Sequence, residues 1–308
     1  MAVEDAWAAL AIGAMLCLGM SDLLNKRAMR AGVKRTQFLV VQSIFFTLTT
    51  LVLLPLVGGV EFTRELLYAV ACGGITFVSY VFVLKALETG EATVAVPIYR
   101  MSFGVTVVLA ILVLGEDLSA RKVMGFAFIV VALVSLTAMS DRVRRGEAFH
   151  SHEGLPVGDR PAPRPSVLLA GLFAAVAMLT IGTKGFLYKV GVSEGASPTT
   201  FALVQSLTFL PVAMLYARHG DGGLRVDRLT WSHAPYNGIL TALASVLLLM
   251  ALIGGDASVA VPISQLCFVV TAVFAVAIFG ERMTPLKVLG IVSAVIAVLV
   301  LSTSLGPT

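Results

Sequence analysis

A chain of 308 residues with 58% apolar and 13% charged residues, 28 glycines and a mean hydropathy of +0.94 lies far from a soluble globule, which carries about 25% charged residues. The same numbers exclude a disordered chain, and with only three cysteines they exclude a secreted disulfide scaffold. A polytopic membrane protein of formal net charge +4 remains.

In chain order, segments free of charge and histidine run over 6–21, 36–60 and 66–84. The fourth, Ala92 to Gly115, is broken only by Arg100, and 123–140 follows. Beyond a polar stretch at 141–164 come 165–183, 195–217, 234–255, 257–280 and 288–308. A bilayer core of about 30 Å needs about 20 helical residues, and each segment spans it with its flanks. We read an all-α membrane protein with ten transmembrane helices. Unbroken apolar runs such as Val130 to Leu136 lack the alternation of an outer-membrane barrel strand. No basic residue precedes 6–21, so it reads as the first helix and not as a signal-peptide core.

Sliding the sequence by 165 positions lays Gly90–Gly125 on Gly255–Gly290 without a gap, with 17 of 36 pairs identical. Pro97 falls on Pro262, and Gly115-Glu116 falls on Gly280-Glu281. An offset of 163 extends the match upstream, placing Lys26 on Lys189 and Gln42 on Gln205. Apolar composition alone would not hold Pro, Gly and Glu in register, so the chain is a duplication. Its units are 1–140 and 165–308, five helices each, joined by the polar linker 141–164. Five is odd, so two units of one fold lie in the membrane with opposite orientation. Inverted repeats of this kind bind a solute near the midplane and expose it to either side.

On these residues the sequence resembles the ten-helix EamA family of the drug/metabolite transporter superfamily. The resemblance implies a basket of ten helices, its central cavity lined chiefly by the first, third and fourth helices of each half, carrying a small organic solute. The superfamily's four-helix multidrug exporters carry a membrane-embedded glutamate in their first helix. This chain has only Asp22 near the end of that helix, which argues against proton-driven export of lipophilic cations.

Arg100 lies about eight residues, or about 12 Å, into the fourth helix. A guanidinium at that depth costs at least about 2.5 kcal/mol, so it faces a partner or a watery cavity. Three readings stand: its fork binds a carboxylate or phosphate on the solute, it pairs internally with Asp22, or it snorkels and only fixes helix position. The repeat turns Tyr99 and Arg100 into Ser264 and Gln265, so the halves diverge in side chain where they share backbone. Tyr99, Ser264, Gln265 and Tyr80 are read as hydrogen-bonding lining, and Asp22 as a coupling or orienting carboxylate. Lys184 is a further intramembrane candidate, and Lys85 could approach Asp22 and Arg100. Pro97 and Pro262 each remove a donor and are read as helix bends. Gln42 and Gln205 are read as interhelical packing amides, and Cys17, Cys72 and Cys267 as packing residues.

No metal-ligand set, catalytic pairing or phosphate-binding Gly loop occurs within the helices; His150, His152 and Glu153 form a short cluster in the linker. No cofactor, no metal and no nucleic acid is expected, and oligomeric state leaves no sequence signal. The expected partners are the bilayer and a small anionic or zwitterionic solute, moved by alternating access. The alternative is a flippase for an amphiphilic lipid-linked substrate. Sixteen Lys and Arg lie on the linker's side and four on the other, which places the linker inside and both termini outside an inner (cytoplasmic) membrane. The family resemblance implies termini on the cytoplasmic side.

Overall fold

The computed structural model describes residues 6–57, 64–89, 98–150, 167–219, 226–279 and 285–302, among which every regular element is helical. The elements are α1 (Trp7–Arg30), α2 (Arg35–Val57), α3 (Leu66–Thr89), α4 (Ser102–Leu114) and α5 (Ala120–His150), then α6 (Val167–Ser193), α7 (Pro198–His219), α8 (Arg228–Gly254), α9 (Ala257–Gln265), α10 (Cys267–Phe279) and α11 (Pro285–Ser302). Among the described residues eight helices are long and apolar enough to cross a membrane, with α9 and most of α10 forming one of the eight spans, and Ile98–Leu114 is a shorter apolar helix. The helix α5 carries on to His150, ten residues into the stretch read as linker. Pro97, His152 and Glu153 lie outside the described residues.

Large apolar side chains such as Leu67, Leu112 and Leu168 stand on the outside, at 72%, 76% and 87% exposure. Surface of that kind is stable only against lipid or protein. Alanine is the residue most often buried, beside large side chains such as Tyr188, Phe201 and Leu249.

Contacts between the two halves come in matched sets. The first helix of each half packs on the third of the other, α1 on α8 and α6 on α3. In the same way α2 packs on α8 and α7 on α3, while α2 meets α7 and α5 meets α11. Glycines make these approaches possible. A Cβ on Gly19 of α1 would lie 2.5 Å from Val270 Cβ and 2.8 Å from the Cys267 carbonyl. At the equivalent Gly182 of α6 it would strike Val105 and the Ser102 carbonyl. Gly73 of α3 meets Thr208 and the Gln205 carbonyl, and its counterpart Gly238 of α8 meets Phe45 and the Gln42 carbonyl. Glycines of left-handed φ follow both first helices, Gly32 at +84° and Gly195 at +103°, a conformation that disfavours any side chain.

The fourth helix of each half is interrupted at one matched point. Met101 (φ −71°, ψ 5°) separates Ile98–Arg100 from α4, and Leu266 (φ −69°, ψ 6°) separates α9 from α10. Met101 donates to the Ile98 carbonyl at 3.1 Å and Gly104 to that of Met101 at 2.9 Å; Leu266 to Ile263 and Val269 to Leu266 repeat both distances. These are three-residue closures of the 3₁₀ type, tighter than the surrounding α-helix. The chain stays helical through Pro262, and the interruption lies four residues beyond it.

Overpacking a close contact costs about 1–3 kcal/mol, whereas Gly→Ala on an open helix face gains up to about 1 kcal/mol. Gly182→Val and Gly73→Val are therefore expected to lower the melting temperature of the detergent-purified protein. Gly74→Ala, whose Cβ would meet nothing within 4 Å, is expected to hold or raise it.

Candidate functional site

A cavity of about 420 Å³ lies among the helices, inside the range typical of small-molecule sites. All seven residues read from the sequence as solute-facing line it: Asp22, Tyr80, Tyr99, Arg100, Lys184, Ser264 and Gln265. Their positions follow from the repeat. Tyr99 and Arg100 precede the interruption at Met101 and Ser102 follows it; Ser264 and Gln265 precede that at Leu266 and Cys267 follows it. In a continuous helix, successive residues turn by about 100°. The tightened turn brings side chains from both sides of the break onto one wall.

The same pairing holds around the chamber. Leu18 and Ile181, Asp22 and Gly185, and Asn25 and Tyr188 are equivalent residues of α1 and α6; Tyr80 and Ser245, with Val83 and Leu248, are equivalents of α3 and α8. The contribution of α2 is unmatched, as are those of Thr76 and Lys184, whose equivalents Thr241 and Ser21 do not line the cavity. Phe38, Leu39 and Gln42 of α2 line the cavity, whereas their counterparts Phe201, Ala202 and Gln205 do not. Phe201 and Ala202 are fully buried, with Phe201 edge-on to Tyr188 at 5.5 Å between centroids. The chamber thus extends toward the bundle end that carries the α1–α2 turn, and apolar packing fills the equivalent space at the other end.

Charge is concentrated at one corner. Arg100 Nη2 donates to Asp22 Oδ2 at 2.7 Å, and Arg100 Nη1 donates to Cys267 Sγ at 3.1 Å. The guanidinium also lies 5.6 Å from the Tyr99 ring centre. Asp22 takes only one arm of the fork, and Arg100 Nε is buried without an acceptor. Lys184 lies over the Tyr188 ring at 5.5 Å, and among the described residues no carboxylate pairs with it. Lys85 is exposed, its ammonium 5.9 Å from the ring centres of Phe82 and Phe173.

Hydroxyls and amides continue the polar surface. Tyr188 donates to Gln205 at 2.6 Å, and Gln205 in turn donates to Thr76 of the other half at 3.3 Å. Gln205 thus bonds both within its own half and across to the other, and Gln42, read as a packing amide, faces the cavity. A smaller chamber of about 130 Å³ adjoins the first and shares Gln42, Thr76, Tyr80 and Lys184 with it. Cys267, read as a packing residue, is buried yet touches both Arg100 and Asp22, its Sγ 3.7 Å from the carboxylate. The signal that finds it is positional: the offset of 165 lays it on Ser102, directly after the same break. Among the described residues no group of three or more His, Cys, Asp or Glu could hold a metal ion.

Among curated proteins no sequence matches this chain. The backbone is similar to that of a solved protein crystal structure, with a TM-score of 0.77 over 97% of this chain and 98% of the other at 13% identity, a likeness of fold alone. The EamA-like transporter family model matches twice, over residues 5–138 and 168–303, the two repeat units. Two matched units around one polar chamber belong together with that result, and the chain is a member of the EamA-like transporter family.

Proposed function

We propose that this membrane transporter carries a small anionic or zwitterionic organic solute by alternating access. The observation that carries the reading is the charge balance of the cavity. Its walls hold two cationic side chains, Arg100 and Lys184, and one carboxylate, Asp22. Asp22 is engaged by Arg100, and among the described residues no carboxylate pairs with the Lys184 ammonium inside a bundle of apolar exterior. Intramembrane charges demand partners, and a carboxylate or phosphate on the solute supplies one. A cationic solute would meet an excess of like charge.

The transport path follows from the repeat. The eight long spans, Ile98–Leu114 and α5 together make ten membrane crossings, five to a half, so the halves lie antiparallel across the membrane. The matched packing of α1 on α8 and α6 on α3 supports this arrangement. One half rocks against the other about the shared cavity. Charge in the loops supports a cytoplasmic linker, and with that orientation the cavity extends toward the cytoplasmic face in this conformation.

Melting of the purified protein against carboxylates, amino acids, phosphorylated metabolites, nucleosides and organic cations tests the solute class. A ligand at 100 times its dissociation constant adds about 2.7 kcal/mol and raises the melting temperature visibly. Anionic or zwitterionic solutes are expected to do so, and Lys184→Gln to weaken them at least about tenfold, the loss of one charge-assisted bond. Stabilisation by cations alone would reject the proposal.

The Arg100–Asp22 pair is partly buried, with side chains 18% and 30% exposed, so removing one partner leaves a half-desolvated charge and costs less than the ~3–5 kcal/mol of a fully buried pair, while removing both costs less still. Arg100→Gln is therefore expected to melt below both the parent and Arg100→Gln/Asp22→Asn. Equal melting of single and double variants would show that the pair is not coupled. For orientation, protease added outside right-side-out vesicles is expected to leave the linker intact, and cleavage there would reverse the assignment.

A further inference from the structure

A second polar cluster lies away from the cavity, at the bundle end where α4, α6 and α8 finish. The helix α9 begins there with Asp256 at its N-cap, a residue that ordinarily accepts from its own helix's first N–H groups. Asp256 makes no such bond. Its carboxylate instead accepts from Lys122 of α5 at 2.8 Å, Lys122 being 3% exposed. Glu116 of the other half fills the vacant role: Oε1 accepts from Ala257 N–H at 2.7 Å and Oε2 from Ser258 N–H at 2.9 Å. Gly115, at φ +69°, ends α4 and turns the chain so that Glu116 points across. Lys189 of α6 closes the same end, donating to the Leu252 and Gly255 carbonyls at 2.8 and 2.9 Å.

We propose that Glu116, Lys122, Lys189 and Asp256 form a latch that holds this end of the cavity shut and disengages as one unit during transport. This proposal rests on the alternating-access reading above. Three observations support it. The bonds of Glu116 and Lys122 join the two halves, the bodies that must separate for the cavity to change faces. The cavity lacks the contribution of α7 at this end, where Phe201 is packed instead of lining. Finally, the duplication writes the same set twice: the offset of 165 takes Glu116 to Glu281, Lys122 to Lys287 and Asp256 to Glu91, and the offset of 163 takes Lys189 to Lys26. Charges that served only to solubilise a loop would not need retention of sign at four places in both copies. The chain therefore carries the side chains for a like set of contacts at its opposite end.

The test uses the full-length protein in sealed vesicles and an impermeant maleimide. Leu248→Cys reports cavity access from the latched end, and Val83→Cys, its repeat equivalent, reports access from the other, each read over the parent protein's own cysteines. Glu116→Gln, Lys122→Gln and Asp256→Asn, added singly, are expected to speed labelling at Leu248→Cys about tenfold, as loss of a bonded contact of that weight shifts a two-state equilibrium, and to slow it at Val83→Cys. Unchanged labelling at both positions, with a lowered melting temperature, would make the cluster a structural staple and overturn the proposal. Glu116→Gln keeps size and one acceptor, so it carries the test if Lys122→Gln does not fold. Solute-induced melting shifts of the parent protein, read separately, tell failure of the latch from failure of the carrier reading.

Discussion

A guanidinium inside an apolar bundle sets the terms for everything around it. Arg100 needs an acceptor within reach, and Asp22 provides one at 2.7 Å from the first helix of the same half. Arg100 sits directly before the tightened turn at Met101, and Cys267 of the α9–α10 span touches both members of the pair, so α1 and that span meet beside it. Gly19 lets them do so, since any side chain there would collide with Val270 and the Cys267 carbonyl. Charge, helix interruption and small-residue contact are therefore three aspects of one arrangement.

The duplication distributes that arrangement unequally. Both halves keep the interruption and the glycines, because a backbone contact tolerates no substitution. The side chains beside them are free to differ: Arg100 opposes Gln265, Asp22 opposes Gly185, Tyr80 opposes Ser245. The symmetric part builds the chamber and the asymmetric part gives it a sign. A carrier that recognised its solute equally with both halves would need a solute of matching symmetry. This one has a charged wall on one side and an amide and hydroxyls on the other.

Much of this was legible before any coordinates. Hydropathy marks the spans because lipid admits only helices or closed barrels and the unbroken apolar runs fit helices, and the offset of 165 marks the fourth helices because Pro, Gly and Glu recur in register. Arg100, Asp22 and Lys184 stand out since charge in an apolar run is rare. Other features were hidden. The break at Met101 and Leu266 has no helix-breaking residue at its centre and shows only as geometry. Cys267 looks like packing until the fold sets it against Arg100. Glu116 is visible only as part of the repeated Gly-Glu pair and Lys122 carries no signal of its own, because a sequence does not show which distant helix start an acidic side chain will meet. The offset changes from 163 to 165 between Gln42 and Gly73, so no single alignment reveals both the first-helix and the fourth-helix correspondences.

The exchange of partners between halves, α1 against α8 and α6 against α3, has a consequence for biogenesis. During synthesis the N-terminal unit enters the bilayer with no mate for the notches at Gly19 and Gly73. Their proper neighbours, Val270 and Thr208, are some 250 and 135 positions further along the chain. The N-terminal unit must wait in lipid as loosely associated helices until the ribosome has delivered nearly the whole polypeptide, a long-range closure of the kind that slows folding. Truncation after the fifth helix would thus yield a membrane-inserted chain without its native interior, and retention of such a fragment by membrane quality control follows from the wiring of the fold.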